Sequence, residues 1–257
     1  MPRESLCRTF TVAFLLCVAC SVLVSSAAVM LRPTQNVNKE LDKKRNILTA
    51  AGLYEEGIDI DATYKSVEAK VVDLSTGEYA ESIDANSYDA RKAAADPSMS
   101  QETSDLDRAS IKRRAKNASV YLVYKRDRID KVILPVHGMG LWSTLYGFLA
   151  LDAADLSTIK GLVFYEHAET PGLGGEVDNP AWKALWKGKQ AFDADGKVAI
   201  SVLKGRVDPA DTEVRFKVDG LSGATITSRG VHHMLHYWLS ADGYGPYLDR
   251  LKEQGAG

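Results

Sequence analysis

Between Thr9 and Leu31 the chain reads TFTVAFLLCVACSVLVSSAAVML, a run without a single charge, bracketed by Arg8 and Arg32. About 20 apolar residues, at 1.5 Å per residue, carry a helix across a bilayer. A secretory signal is the competing reading, and SSAA offers small residues for cleavage. Signal cores, however, are only about 7–15 residues long, and this run is longer and continuous. Residues 1–31 are therefore expected to form an uncleaved, single-pass anchor. Cys20 does not read as a lipoprotein site, because Cys17 stands three positions before it, where a branched aliphatic is expected.

The flanks of the span pull the other way on orientation. Arg3 and Arg8 precede it, whereas Arg32, Lys39, Lys43, Lys44 and Arg45 follow it. By positive-inside counting alone the large C-terminal part would face the cytoplasm, although long domains are translocated despite such charges. The span holds no acidic residue, so a direct ion path through it is not expected.

The rest of the chain has a globular composition, 45% hydrophobic and 26% charged over 257 residues, neither disordered nor collagenous. A net charge of −2 argues against a general nucleic-acid binder. The three cysteines, Cys7, Cys17 and Cys20, all precede the soluble part. That part consequently has no disulfide, no thiolate metal site and no thiol nucleophile. Redox chemistry, if present, has to come from a bound cofactor.

Residues 37–51 read as a helix stopped by Gly52. IDATYKSVEAKVVDL reads as a second helix, or a helix then a strand. From about 75 to 112 the chain is polar and rich in Ala, Ser and Asp, with Pro97 as a breaker, and is expected to be a loosely ordered connector. The pattern then changes. ASVYLVYK and IDKVILPV, joined by RDR, alternate like the arms of a hairpin. STLYGFLALD and TIKGLVFYEH read as further strands. NPAWKALWKG reads as a short helix with Trp182 and Trp186 on one face. KVAISVLKG and TEVRFKVDG are strand-like, and SRGVHHMLHYWLSADG is a helix ending at Gly243. The expected architecture is α+β: an anchor at 1–31, a helical region and connector at 32–112, and an antiparallel-sheet domain with flanking helices at 113–257.

Three glycine-bearing loops suggest a ligand cleft, since glycine lets backbone approach a flat or phosphorylated ligand closely. They are PVHGMGLWS (135–143), HAETPGLGGE (167–176) and DGLSGATITS (219–228). None fits the dinucleotide fingerprint or the phosphate-binding loop, and no G-x-S-x-G elbow is present. His232 and His236 have the i, i+4 spacing of a metal pair. His233 stands where a metalloprotease would place its Glu, and no third ligand is indicated, so no metal is expected.

Asp219, Ser222, Gly223, Ala224 and Thr225 match D-x-x-[ST]-G-A-T, the flavinylation motif. Glu169, Thr170, Pro171, Gly172, Leu173 and Gly174 form ETPGLG, its companion in the same FMN-binding domain. With Leu141, Trp142 and Ser143 of GxGLWS and the single N-terminal span, the chain resembles the C subunits of the Na+-translocating NADH:quinone oxidoreductases, essentially throughout its length. The resemblance implies FMN joined through a phosphoester to Thr225 by a flavin transferase. It further implies an electron relay from NADH toward quinone alongside other subunits of an inner-membrane complex, coupled to Na+ export. It places the flavin domain in the periplasm, against the charge count. Leu141, Trp142 and Leu173 are the expected ring contacts, and Ser222 and Thr227 the expected braces of the turn. Arg229 is placed to pair with the phosphate, a solvated arginine being the other reading. The nearest alternative is the homologous G subunit of Rnf-type electron-transport complexes; GLWS and the extended N-terminal region favour the sodium pump. A periplasmic flavin-holding or assembly protein without electron relay is the alternative from another class.

Overall fold

The N-terminal apolar run forms one unbroken helix, α1 (Leu6–Ala50), in the computed structural model, which describes residues 6–103 and 107–255. The first five residues of the expected anchor, three residues of the connector (104–106) and the last two of the C-terminal domain lie outside the described residues. The chain divides into two compact units, Met1–Lys43 and Lys44–Gly257. Within the first, Phe10, Leu15, Leu23 and Met30 are exposed. The helix has a mean hydropathy of 2.5 over its most apolar window, long and apolar enough to cross a membrane. Pro33 sits inside the helix, just past the apolar run.

The second unit starts with the last turns of α1. Gly52 takes a left-handed φ of +67°. Its amide donates to the Thr49 carbonyl and that of Leu53 to Leu48, a glycine stop of the expected kind. A short helix follows, α2 (Ile60–Tyr64), capped by the Asp59 carboxylate. Then comes β1 (Val67–Asp73), the strand half of the segment with two readings.

The stretch from 75 to 112 is more structured than its polar composition suggests. It contains α3 (Ala90–Ala95), capped by Asp89, and β2 (Ser100–Glu102), which pairs antiparallel with β3 (Arg113–Ala115). Side chains hold it where apolar patterning is thin. Arg91 forms a two-pronged ion pair with Glu166 and lies 3.6 Å over the Tyr146 ring.

Four long strands follow: β4 (Asn117–Lys125), β5 (Arg128–Met139), β6 (Thr144–Asp152) and β7 (Ile159–Glu166). They form an antiparallel sheet in the order β1-β4-β5-β6-β7. The strands are apolar on both sides because both faces are covered. One face, with Tyr121, Val123, Ile133, Phe148 and Ala150, clusters with Ile47, Ala50 and Ala51 at the end of α1. A methyl at Gly161 would lie 2.5 Å from the Ala50 carbonyl oxygen, so the helix end rests directly on β7 backbone.

The opposite face, with Val120, Leu122, Val132, Leu134, Leu145 and Leu149, carries the main core. It packs against α4 (Pro180–Ala184), α5 (Thr225–Leu239) and α6 (Gly245–Glu253). Trp182 and Trp186 meet edge to face at 5.4 Å beneath α4. The two strand-like segments after residue 196 shrink to a parallel two-residue pair, β8 (Ser201–Val202) and β9 (Lys217–Val218). α5 ends at Leu239, four residues before the expected Gly243.

Candidate functional site

β5 and β6 are paired as far as Met139–Thr144, and residues 140–143 form the loop between them, closed by the Gly140 amide donating to the Ser143 carbonyl at 2.8 Å. β7 leads directly into residues 167–174. The third element is the start of α5, reached through Gly223, whose φ of +72° turns the chain into the helix. The three glycine-bearing loops expected to build a cleft therefore meet at one end of the sheet.

Glu169 joins them. It is 5% exposed. Its carboxylate accepts the backbone amides of Leu141 (3.1 and 3.2 Å), Trp142 (2.9 Å) and Ser143 (3.1 Å). The Thr227 hydroxyl donates to Oε2 at 2.6 Å. Burial alone would raise the Glu169 pKa, but the Thr227 hydroxyl and these three amides outweigh it and hold the group below its ordinary value. The Ala168 amide adds a bond to Ser143 Oγ at 2.7 Å. Glycine is required around the carboxylate. A methyl at Gly140 would lie 2.6 Å from Oε1, and one at Gly174 would lie 2.6 Å from both Oε2 and Thr227 Oγ1.

The four hydroxyls of 222–228 separate by environment. Thr227 and Ser228 are buried. Ser228 Oγ accepts the Leu221 amide and donates to the Ala224 carbonyl. The bracing expected of Ser222 falls to Ser228 instead, while Ser222 is exposed and its hydroxyl has no partner among the described residues. The reason is spacing: the Ser228 side chain reaches back one helical turn to Ala224 and on to Leu221 in the preceding loop.

Thr225, the first residue of α5, is half-buried, and its hydroxyl has no hydrogen-bond partner among the described residues. The N-cap is Ala224, with no side chain capping the helix. The first intrahelical bond is from the Ser228 amide to the Ala224 carbonyl, so the amides of Thr225, Ile226 and Thr227 have no acceptor among the described residues. Together with the helix dipole, such amides favour an anion at this end. Arg229 is exposed one turn on.

Apolar side chains stand in water around this point. Leu141, Trp142 and Leu173 are 41%, 68% and 45% exposed. Ile226 (53%) and Met139 (36%) extend the patch. The sequence alone does not single out these two, since an apolar residue beside a motif reads as core until its face is known. Pro171 and Thr170 are exposed on the same loop, where Gly172 takes a φ of +75°.

Asp219, the first residue of the motif, faces inward to the scaffold. Its carboxylate accepts the Val207 amide and its carbonyl accepts the Trp182 indole N–H, both at 2.9 Å. The histidines of α5 lie apart from the three loops. The His232 and His236 rings lie tilted at 38° with centroids 4.2 Å apart, and His236 Nε2 bonds the Ile200 carbonyl. Among the described residues no cluster of three or more His, Cys, Asp or Glu side chains is arranged to hold a metal ion.

An uncapped helix start beside a partner-free hydroxyl, rimmed by exposed apolar side chains, fits a ligand with an anionic end and a flat apolar end. The class agrees: residues 140–240 match the family model of the FMN-binding domain. Over 256 residues, 98% of each chain, the sequence is 51% identical to the C subunit of the Na(+)-translocating NADH-quinone reductase of Pseudomonas aeruginosa. It is 46% identical to the protein of the same name from Haemophilus ducreyi, across 97% of this chain and 96% of that one. The crystal structure of Shewanella oneidensis NqrC superposes with a TM-score of 0.77 at 39% identity, covering 84% of this chain and 99% of that one. The chain belongs to the NqrC family, the C subunits of the Na(+)-translocating NADH-quinone reductases.

Proposed function

We propose that this chain is the membrane-anchored flavoprotein component of a Na+-translocating NADH:quinone reductase, with FMN joined by a phosphoester to Thr225. The observation that carries the attachment is the Thr225 hydroxyl, partner-free among the described residues at the uncapped start of α5, while Thr227 and Ser228 are buried and bonded. The linkage leaves one negative charge on the phosphate, and the open amides of Thr225, Ile226 and Thr227 are suited to receive it. Leu141, Trp142 and Leu173, with Met139 and Ile226, would shield the ring on its apolar sides. FMN, when bound, supplies the capacity to accept and pass on electrons.

On this reading the chain relays electrons from NADH toward quinone among the other subunits of the complex, which together export Na+. Its remaining partner is a flavin transferase, needed once in maturation. On the same reading the anchor lies in the bacterial inner membrane and the flavin domain in the periplasm; the long apolar helix α1 supports the anchor.

Two measurements test this. Expressed with the transferase, the denatured protein should fluoresce as a flavoprotein on a gel. Thr225→Ala should abolish that signal and Thr227→Ala retain it; covalent flavin persisting in Thr225→Ala moves the attachment elsewhere. For orientation, a reporter fused to the C-terminus should be active outside the cytoplasm. Activity confined to the cytoplasm overturns the periplasmic placement.

A further inference from the structure

We infer that Glu169 is the positioning residue of the flavin site, acting through Thr227 and the amides of residues 141–143 rather than by touching the flavin. The inference rests on Thr225 being the attachment point. An ionised carboxylate offers two oxygens and about four lone-pair directions. Here Oε1 takes the amides of Leu141, Trp142 and Ser143, and Oε2 takes the Leu141 amide and the Thr227 hydroxyl. At 5% exposure, with Gly140 and Gly174 closed around it, it has neither a free acceptor nor an open side to present to a ligand.

What Glu169 holds is the geometry around Thr225. The 141–143 loop carries Leu141 and Trp142. The 169–174 loop carries Leu173, which a methyl at Gly223 would approach to 3.0 Å. The first turn of α5 carries Thr225, two residues before the Thr227 hydroxyl that donates to Glu169. One buried anion thus ties together all three segments that bear the exposed apolar side chains and the attachment hydroxyl.

The charge state is matched to this task. All four donors converge on acceptors, so an amide in place of the carboxylate would aim an N–H₂ at a backbone N–H or at the Thr227 hydroxyl. The polypeptide on either side of Glu169 is itself braced. Its own amide donates to His167 Nδ1 at 3.3 Å, and His167 Nε2 bonds Asp178 at 2.8 Å. The clamp is therefore preorganised before any ligand arrives, which is how a site holds its contacting groups in place at low entropic cost.

The test uses the full-length protein expressed with the transferase and purified in detergent. Covalent flavin is read by gel fluorescence, and ring environment by visible-region circular dichroism and the flavin midpoint potential. Glu169→Gln and Thr227→Val should keep covalent flavin but lose most of the visible dichroism and move the potential toward that of a solvent-exposed flavin ester. Thr227→Ser, which keeps the hydroxyl, should match the wild type. If Glu169→Gln does not fold, Thr227→Val decides, because it removes one bond and leaves the three amides satisfied. Wild-type dichroism and potential in the folded variants overturn the inference. So does loss of covalent flavin from both variants while the wild type retains it, since these residues would then act in attachment. Absence of covalent flavin from the wild type itself instead defeats the Thr225 reading.

Discussion

Two glycines of the 169–174 loop show how differently the same residue can be needed. Gly172 has a φ of +75° and nothing within 4 Å of where a methyl would stand. Gly174 has ordinary backbone, but its added methyl would meet Glu169 Oε2 and Thr227 Oγ1 at 2.6 Å. Gly172→Ala should cost about 1 kcal/mol through backbone strain alone and leave the site intact. Gly174→Ala should cost about 1–3 kcal/mol as overpacking and pry Thr227 from the carboxylate. Urea unfolding measures both. Visible circular dichroism of the flavin separates them, remaining wild-type in Gly172→Ala and falling in Gly174→Ala. Equal dichroism in the two would mean that Gly174 does not keep the clamp closed.

Among the elements, those with strong periodicity or a clean stop were legible from residues alone. The hairpin read from the flanking alternation is there, but its turn is only Arg126 and Asp127, at φ of 51° and 62°, because Arg128 joins β5. Gly52 ends α1, and β6 and β7 stand where the aromatic and β-branched runs placed them. The failures have physical causes. Residues 75–112 fold with little apolar patterning because Asp caps and the Arg91–Glu166 pair supply the order, and such long-range polar contacts leave no local signature. The strand-like runs KVAISVLKG and TEVRFKVDG give only the short β8–β9 pair; Ile200 and Phe216 are buried there without a longer ladder. The motifs picked out three loops that the fold brings together at one end of the sheet. They could not assign Glu169 its four donors, or give Ser228 rather than Ser222 the bracing, because both depend on which groups come within hydrogen-bond distance once the loops converge.

For the molecule as a whole, burial lowers the pKa of His137, His232 and His233. His137 lies on β5, stacked at 5.5 Å on Tyr146 and 4.9 Å from Trp238. Burial, reinforced by the Arg91 charge and only partly offset by Asp107, lowers its pKa to about 4. His232 is lowered to about 4 by burial and then by His236, His233 and Arg108. The sign follows from proton counting. Above the ordinary histidine value of 6.5 both groups are neutral in the folded and the unfolded chain, and pH has no leverage through them. As pH falls from 6.5 toward about 4, the unfolded chain takes up protons that the folded one refuses, so stability declines. Below that window Glu169 continues the loss, because its lowered folded pKa stabilises the fold above 4.5 and that contribution disappears as the carboxyl protonates. The apparent Tm of the full-length protein in detergent should therefore be level from about pH 8 to 7 and fall steadily below about 6.5. His137→Gln lowers Tm at every pH through lost stacking but should flatten the slope across this window. An unchanged slope in that variant would show that His137 titrates alike in the folded and unfolded chains, and would assign the acid sensitivity to His232, to His233, which burial also lowers, and to the carboxylates.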